Sequence, residues 1–368
     1  MQTDWTKTTL SAIADFNPAE SLPKGKPAKR AAMEKLMPFC RDVAGFDTAP
    51  YGGGAKFRNG DTIMARITPC LENGKTAQVN FLAEGEIGFG STEYLVLRAK
   101  EGIADPDFLY YLARSPLVRE PAIKSMVGSS GRQRVQNSVL ERLEIALPPL
   151  ELQREIGSVL RALDDKITLN RKIADNLQQQ AQAFYTDMFI TRSSANWRQG
   201  RLSELVSVKY GKDHKKLADG KFPVYGSGGI IRYAERPLYA RESVLIPRKG
   251  TLNNVMYVSE PFWSVDTMFY TEILRPNAAK FVYHFLRGKN LASMNAGSAV
   301  PSMTTDILNA MELTIPDGER LAAFEEIVSP MYRTISANEK QSAALASIRD
   351  ALLPRLISGE LDASAADL

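Results

Sequence analysis

The stretch Leu143-Glu144-Ile145-Ala146-Leu147-Pro148 recurs further along the chain as Met311-Glu312-Leu313-Thr314-Ile315-Pro316. Around it, residues 126–184 align with residues 294–352 without a gap, at the constant offset of 168 residues that separates Leu143 from Met311. Upstream of each copy the similarity is looser. Because an internal duplication indicates repeated structural units, the sequence predicts the order variable domain, helix, variable domain, helix.

Each copy of the repeat continues into a heptad pattern that is typical of a long helix. Pro148 and Pro149 suit a helix entrance rather than a helix interior. Each segment of roughly 40 residues would form a rod of about 60 Å. One stripe alone would favour an ordinary core helix, whereas two matching seams favour pairing of the helices with each other. The seam positions are Ile156, Leu163, Asn170, Leu177 and Phe184 in the first helix, and Phe324, Met331, Asn338, Leu345 and Leu352 in the second.

Two asparagines occupy equivalent positions near the middle of the two seams. A polar residue inside a helix pair fixes its register at some cost in stability. Since the duplication implies pseudo-two-fold symmetry, we expect Asn170 and Asn338 to lie close together near the midpoint of an antiparallel pair. The alternative is a solvated defect in the seam. The second seam also weakens towards its C-terminal end, where Arg349 takes an interleaved position.

The fold class predicted from this order is α/β (α+β). Two globular α/β domains would be separated by two long antiparallel coiled-coil helices, with a pseudo-two-fold internal repeat. The expected boundaries are 1–147 for the first domain, 148–192 for the first helix, 193–315 for the second domain and 316–368 for the second helix with its tail. Short strand-like runs and Gly-rich turns in both domains predict many loops. Loops on a rigid scaffold are where binding residues usually lie.

Positive charge is concentrated outside the helical segments. The chain carries a net charge of +4. Residues 151–190 contain five Lys/Arg and six Asp/Glu, and residues 316–362 contain five and eight, so the remaining residues carry +8. Basic globular parts joined by acidic connecting parts are the pattern expected of a protein whose domains contact phosphates.

The candidate DNA contacts are basic and amide side chains in a few loops rich in Gly, Asn and aromatic residues. Arg pairs well with guanine and Asn with adenine in the major groove, while Lys and backbone N–H groups mostly hold phosphates. For any single position, a solvated surface charge is the alternative. The candidates are Lys56, Arg58, Arg66, Arg132, Arg134, Lys209, Lys212, Lys215, Lys216, Arg248, Lys249, Asn253 and Asn254.

Catalytic and metal-binding motifs are missing from the sequence. The chain has two cysteines and two histidines, Cys40, Cys70, His214 and His284, with no spacing that resembles a zinc site or a disulfide framework. Two histidines supply no plausible Ser/His/Asp or Cys/His arrangement, and no carboxylate pair suggests a nuclease. We therefore expect a chain without catalytic residues, bound metal or cofactor.

Two short stretches of the sequence are similar to functional motifs but are incomplete. Gly74-Lys75-Thr76 is reminiscent of a phosphate-binding loop, but Pro69 stands where that motif needs its first Gly, so a hairpin turn is the better interpretation. Asn17-Pro18 lacks the continuation of an amino-methyltransferase motif.

No apolar run is long enough to span a bilayer, and the start lacks the pattern of a signal peptide, so a cytoplasmic protein is expected.

These features together resemble the specificity subunit of type I restriction-modification systems across essentially the whole chain. The sequence 146–156, ALPPLELQREI, and the heptads that follow resemble the family's central conserved region, and 353–361, LPRLISGEL, resembles the distal one. Residues 225–230 and 245–252 resemble stretches common in its target recognition domains. One departure is Pro316-Asp317-Gly318, which replaces Pro148-Pro149-Leu150 at the second helix entrance.

The resemblance implies that each target recognition domain reads one half of a split double-stranded DNA site, and that the antiparallel helices set the distance between the halves. The helices would also dock methyltransferase subunits, in the number of two, and restriction subunits through them. The methyltransferase subunits, not this chain, would hold S-adenosylmethionine and methylate adenine, and the restriction subunits would use ATP and Mg²⁺. The main alternative is a duplicated coiled-coil adaptor that bridges protein partners without touching DNA, and the charge distribution argues against it.

Overall fold

The computed structural model describes residues 4–129, 131–194, 197–294 and 302–363. The chain divides into two compact units. Unit 1 comprises Met1–Lys172 and Asn338–Leu368, and unit 2 comprises Ile173–Ala337. Each unit therefore contains one α/β domain together with one part of each long helix.

The domain of unit 1 is built on two four-stranded sheets and a short two-stranded sheet. The sheets have the orders β2-β9-β6-β7, β4-β3-β8-β5 and β1-β10. Their strands are β1 (Thr6–Thr9), β2 (Ala14–Phe16), β3 (Pro27–Ala31), β4 (Asp47–Pro50), β5 (Lys56–Phe57), β6 (Thr62–Ala65), β7 (Thr76–Gln78), β8 (Gly88–Gly90), β9 (Tyr94–Ala99) and β10 (Glu144–Leu147). The helices are α1 (Leu10–Ile13), α2 (Pro106–Arg114), α3 (Pro116–Lys124), α4 (Asn137–Glu141) and the first part of α5 (Leu150–Tyr185).

The domain of unit 2 repeats this plan. Its sheets have the orders β12-β18-β15-β16, β14-β13-β17 and β11-β19. The strands are β11 (Arg198–Arg201), β12 (Val206–Tyr210), β13 (Asp219–Gly226), β14 (Gly229–Ala234), β15 (Ser243–Pro247), β16 (Met256–Val258), β17 (Trp263–Ser264), β18 (Met268–Ile273) and β19 (Glu312–Ile315). The helices are α6 (Ala279–Arg287), α7 (Thr305–Asn309) and the first part of α8 (Gly318–Ile357), which continues into unit 1.

The repeated stretch forms the same element in both units. Its two copies are the short strands β10 and β19, and each pairs antiparallel with the strand that opens its own domain, β1 or β11. Ile145 is buried in unit 1, and Leu313 and Ile315 are buried in unit 2. The strand leads directly into a long helix in each copy, so this stretch ties the start of each domain to the end of it.

The two long helices begin by different means. Pro148 and Pro149 precede α5, and the carbonyl of Pro149 accepts the N–H of Gln153. At the entrance of α8, the Asp317 carboxylate accepts the backbone N–H of Arg320 at 2.7 Å, which is an N-cap bond. The second copy thus replaces the paired prolines with a capping aspartate, and the helix forms despite the changed sequence.

Within each unit, α5 and α8 pack together in antiparallel fashion. In unit 1, Asp164 of α5 pairs with Arg349 of α8, and Asn170 contacts Asn338. Residue numbers therefore rise along α5 in the direction in which they fall along α8. Burial of each large apolar side chain, such as Phe324 in unit 2, stabilises the fold by about 1.5–3 kcal/mol. The predicted fold class, two α/β domains with two long helices that pack together in a repeated arrangement, is confirmed.

The end of α5 departs from the predicted heptads. The helix passes into a π-helix over Thr186–Thr191, and the buried positions have already moved by one residue before it, because an α-helix of 3.6 residues per turn drifts from a seven-residue repeat. Tyr185 is buried there in place of Phe184, which is 38% exposed and lies off the seam. The prediction of a seam position at Phe184 was therefore wrong, while Met188 is buried as the heptads required.

Candidate DNA-binding edges and the helix-pair seam

An arginine occupies the same backbone position in the two domains. Strand β6 ends at Ala65 and strand β15 at Pro247, and the next residues are Arg66 and Arg248. Each strand is an inner strand of its four-stranded sheet and pairs with β9 or β18, respectively. The backbone N–H of Arg66 donates to Glu93 O at 2.9 Å, and that of Arg248 donates to Thr267 O at 2.9 Å.

The carbonyl groups of these arginines are fixed in the same way. Arg66 O accepts the N–H of Val135 at 2.9 Å, and Arg248 O accepts the N–H of Met303 at 2.9 Å. Val135 and Met303 both belong to the segment that leads from the domain helices to the repeated strand. The main chain on both sides of the residue is thus held by the same pattern of bonds in both units, so Arg66 and Arg248 are structural equivalents.

The two guanidinium groups are only weakly engaged within the protein. Arg66 Nη2 donates to Val135 O at 3.4 Å, and its buried Nε has no hydrogen-bond partner. Arg248 Nη1 donates to Asp266 O at 3.2 Å, and its guanidinium lies 5.4 Å from the centre of the Tyr210 ring, which is a cation–π contact. Among the described residues, neither arginine forms an ion pair.

The segments that follow β12 and β15 in unit 2 carry exposed basic side chains. Tyr210, at the end of β12, is 52% exposed. The backbone N–H of Lys212 donates to Ser264 O at 2.8 Å, which holds the segment after β12 against the end of β17. Lys249 is exposed next to Arg248. The exposed lysines of these two segments are Lys212, Lys215, Lys216 and Lys249.

The asparagines of the 249–254 loop hold the loop itself. Asn254 Nδ2 donates to Ser227 O at 2.8 Å and so joins this loop to the glycine-rich turn between β13 and β14. Asn253 Nδ2 donates to Asn290 Oδ1 at 3.2 Å, and Asn253 Oδ1 accepts the N–H of Ala292 at 2.9 Å. Both amides therefore have structural partners, which their sequence spacing did not reveal.

Two of the candidates in unit 1 bind different groups of Glu20, Arg58 its carboxylate and Lys56 its backbone carbonyl. Arg58 pairs with Glu20 at 2.6 Å, and Lys56 donates to the Glu20 backbone carbonyl. The Glu20 side chain also pairs with Arg98 at 2.7 Å and is almost completely buried. Arg98 in turn binds Asp61, and these contacts raise the pKa of its guanidinium above the ordinary value. This buried cluster was not anticipated from the sequence.

Two other candidates also have carboxylate partners. Arg134 donates to Glu93 at 2.6 Å, and this bond lowers the pKa of Glu93. Lys209 lies 3.5 Å from Glu272. Arg132 is exposed. Beside Arg66, a groove of about 430 Å³ opens among Glu20, Lys56, Arg66 and Tyr94, so Arg66 faces a recess large enough to admit a ligand group.

A buried polar cluster interrupts the seam in unit 1. Asp164 accepts hydrogen bonds from Arg349 and from the Tyr111 hydroxyl, the latter at 2.7 Å. The side chains of Asp164 and Arg349 are 4% and 5% exposed. Arg349 also binds Asp350 at 2.9 Å, and Arg114 binds the same carboxylate at 2.6 Å. The seam position that seemed weak in the sequence thus carries an ion pair.

The equivalent place in unit 2 holds a neutral cluster. The Asp164 position corresponds to Tyr332 in the repeat, and Tyr111 corresponds to His284. His284 Nδ1 lies 2.8 Å from Gln182 Oε1, and Nε2 lies 2.9 Å from the Tyr332 hydroxyl. Because the Gln oxygen only accepts, Nδ1 carries the proton and Tyr332 donates to Nε2. Burial lowers the pKa of His284 to about 3, with Arg287 adding to the effect.

The other predicted seam residues take graded positions. Asn170 is buried, and its Nδ2 donates to Asn338 O at 3.5 Å and to Gln341 Oε1 at 2.9 Å. Ile156 and Leu163 are buried in unit 1, and Phe324 is buried in unit 2. The partly buried positions are Leu177, Met331, Asn338 and Leu345.

Comparison with known proteins assigns the family. The family described as type I restriction modification DNA specificity domain matches residues 4–179 and again residues 194–346. The chain belongs to this family. It is the specificity subunit of a type I restriction-modification system and the non-catalytic subunit of that DNA-binding complex. The adaptor alternative, a protein without a DNA role, is therefore set aside.

Individual relatives agree with this assignment. The chain is 25% identical over 305 residues to the type I restriction enzyme MjaIX specificity subunit of Methanocaldococcus jannaschii. The aligned region covers 71% of this chain and 70% of the relative. It is 31% identical over 182 residues to the EcoAI specificity subunit of Escherichia coli, covering 48% and 30%. The crystal structure of a specificity subunit from M. genitalium has a TM-score of 0.59 at 19% identity, covers 96% of both chains and shows the same fold.

The described part of the chain contains neither a membrane-spanning helix nor a cluster of metal-binding side chains. No helix in the described ranges is both long and apolar enough to cross a membrane. Within the same part of the chain, no group of three or more His, Cys, Asp or Glu side chains is placed to hold a metal ion.

Proposed function

We propose that this specificity subunit reads a bipartite double-stranded DNA target, with one half-site for each domain. The first target recognition domain would be residues 1–147 and the second residues 193–315. The helical segments 148–192 and 316–368 would dock methyltransferase subunits, two in number to match the two-fold repeat, and restriction subunits would join through them.

The observation that carries this proposal is an edge that occurs in both domains. It consists of the end of the inner strand, β6 or β15, and the arginine that follows it, Arg66 or Arg248. Two domains of one chain present an arginine at the same backbone position, beside the exposed Lys249 in unit 2 and beside a groove in unit 1. A duplicated binding edge suits a target with two separate parts, since each domain can make its own set of groove contacts. The helical segments carry net negative charge, which makes them poor ligands for DNA phosphates and leaves them to protein partners.

We assign different tasks to the candidates according to their partners. The exposed lysines Lys212, Lys215, Lys216 and Lys249, with Arg132 in the first domain, are the proposed phosphate contacts, because mobile ammonium groups suit phosphates. Lys56, Arg58, Arg134 and Lys209 would first have to leave an acidic or carbonyl partner, so we propose that they shape the edge rather than contact bases.

The chemistry would belong to the partners. S-adenosylmethionine would be bound by the methyltransferase subunits, and ATP and Mg²⁺ by the restriction subunits, so this chain would bind no cofactor itself. The assembly would act in the cytoplasm, where chromosomal and incoming DNA are accessible. Its own task would be to position the methyltransferase on DNA.

A salt titration of DNA binding tests the proposal. The chain is co-purified with its methyltransferase subunit, and binding of the complex to labelled duplex DNA is followed by fluorescence anisotropy. The logarithm of the binding constant should fall linearly with the logarithm of salt concentration, by about 0.9 per phosphate contact. The methyltransferase alone is the matched control. If the slope and affinity do not depend on this chain, the proposed DNA contact is wrong.

A further inference from the structure

Arg66 and Arg248 differ from the other candidates in how firmly their backbone is held. Each follows a buried inner strand, donates its N–H to the loop before the neighbouring strand, and accepts an N–H from the segment beyond the domain helices. A side chain that starts from such a fixed main chain can be aimed reproducibly, which base recognition requires. Lys215 and Lys216 start from an exposed loop, where the backbone N–H of Lys215 donates only to the Asp213 side chain of the same loop.

These arginines also retain free hydrogen-bonding capacity. In unit 1, Arg58, Arg98 and Arg134 each bind a carboxylate, whereas Arg66 has one long bond to a carbonyl and an unpartnered Nε. In unit 2, Arg248 makes one bond to a carbonyl and a cation–π contact with the Tyr210 ring. A cation–π contact uses none of the N–H donors of a guanidinium, and Nη1 makes the bond to Asp266 O, so the Nε and Nη2 edge of Arg248 is available to bind a planar acceptor pair.

The acceptor pair that fits a guanidinium fork in the major groove is O6 and N7 of guanine. A phosphate would also accept two N–H bonds, but it would not need a position repeated at the end of an inner strand. We propose that Arg66 and Arg248 are equivalent specificity-determining residues, each pairing with one guanine of the half-site that its own domain reads. The proposal rests on the bipartite function proposed above and adds a G·C pair at related places in both half-sites.

The surroundings predict that the two arginines read different neighbours. The Glu93 carbonyl accepts the backbone N–H of Arg66 and the Glu93 carboxylate binds Arg134, while Tyr210 makes a cation–π contact with Arg248. The shared part of the readout is therefore the guanine, and the other bases of the two half-sites are free to differ.

The test compares methylation patterns produced by variant complexes. Cells lacking the subunit receive the methyltransferase with wild-type chain, R66K, R248K, R66A or R248A, and methylated adenines are mapped across the genome. Wild type should give two defined half-sites, each with a G·C pair. R248K should lose discrimination at one G·C pair in one half-site, by roughly 5- to 150-fold, and R66K should do so in the other half-site.

The lysine variants keep the positive charge and lose only the planar fork, so they separate base recognition from phosphate binding. The matched control is K249A, which removes an exposed charge beside Arg248 and should weaken methylation at all sites equally. Thermal melting and co-purification with the methyltransferase check that each variant is folded.

The possible failures are distinguishable. If R66K and R248K retain full discrimination at every base, or if R66A and R248A weaken all sites equally as K249A does, these arginines hold phosphates and the inference is wrong. If the wild-type complex gives no bipartite pattern, the proposed function itself fails.

Discussion

Removal of the buried carboxylate of Asp164 should destabilise unit 1 more than removal of any surface charge. Asp164 binds Arg349 and Tyr111, and its side chain is 4% exposed. Breaking a buried ion pair at one partner costs about 3–5 kcal/mol, because the other charge remains buried. Burial alone would lower the pKa of Arg349, but Asp164 and Asp350 raise it above the ordinary value, so the guanidinium stays charged.

The structure places the expected cost of D164A at the lower end of that range. Arg349 keeps its bonds to Asp350 at 2.9 and 3.0 Å, so its charge is not left entirely unpaired. We expect a loss of about 3 kcal/mol, which for a unit of this size lowers the melting temperature by roughly 6–12 °C. The measurement is thermal and urea unfolding of the full chain, followed by circular dichroism.

Two further variants make the prediction falsifiable. E151A breaks the exposed pair of Glu151 and Arg154 and should cost less than about 1 kcal/mol. The double variant D164L/R349M replaces both buried charges with apolar side chains and should recover much of the lost stability. The reasoning is refuted if D164A unfolds like E151A, or if the double variant is less stable than both single variants D164A and R349M.

Three other predictions concern phosphate contacts, spacing and pH. Neutralising Lys215 and Lys216 should weaken binding to all DNA sequences and lower the salt slope by about one unit per lost phosphate contact, with site preference unchanged; an unaltered slope would remove them from the phosphate contacts. Inserting four residues after Leu177 lengthens α5 by about 6 Å while nearly keeping the seam phase, so the gap between methylated half-sites should widen by about two base pairs, and active variants with an unchanged gap would contradict a spacing role for the helices. The folded-state pKa of His284 is about 3, below its ordinary value of 6.5. The stabilisation from the neutral His284 is therefore fully present above pH 6.5 and is lost as the pH falls towards 3, by up to about 1.4 kcal/mol per pH unit. Urea unfolding at several pH values should show this dependence of the unfolding free energy on pH in wild type and a weaker dependence in H284Q.

Most of the fold could be predicted from the internal repeat and the heptad pattern. A constant offset and a seven-residue period depend only on local sequence, so the order of domains and helices was predictable from them. Asn170 and Asn338, which occupy equivalent positions in the repeat, are in contact. Asp317 shows the limit of reading by similarity, because a different residue type caps the second helix and preserves its start.

The polar partners could not be predicted from local sequence. Arg349 looked like a flaw in the second seam, yet Asp164 lies opposite it 185 residues earlier in the chain. Asn253 and Asn254 are of a residue type that reads bases. Their side-chain amides instead donate hydrogen bonds to Asn290 and Ser227, which lie 37 and 27 residues away in the sequence. Ion pairs such as Arg134 with Glu93 depend on the folded arrangement of distant segments, so spacing alone cannot separate a free basic side chain from a neutralised one.

The most direct measurement of the central claim is a genome-wide map of methylated adenines in cells that carry the methyltransferase subunit with or without this chain. With the chain, methylation should occur at one motif made of two defined segments separated by a fixed number of unspecified bases. Without it, that motif should be unmethylated. Methylation that is the same in both strains, or a single uninterrupted motif, would contradict the account of a subunit that reads two half-sites with two domains.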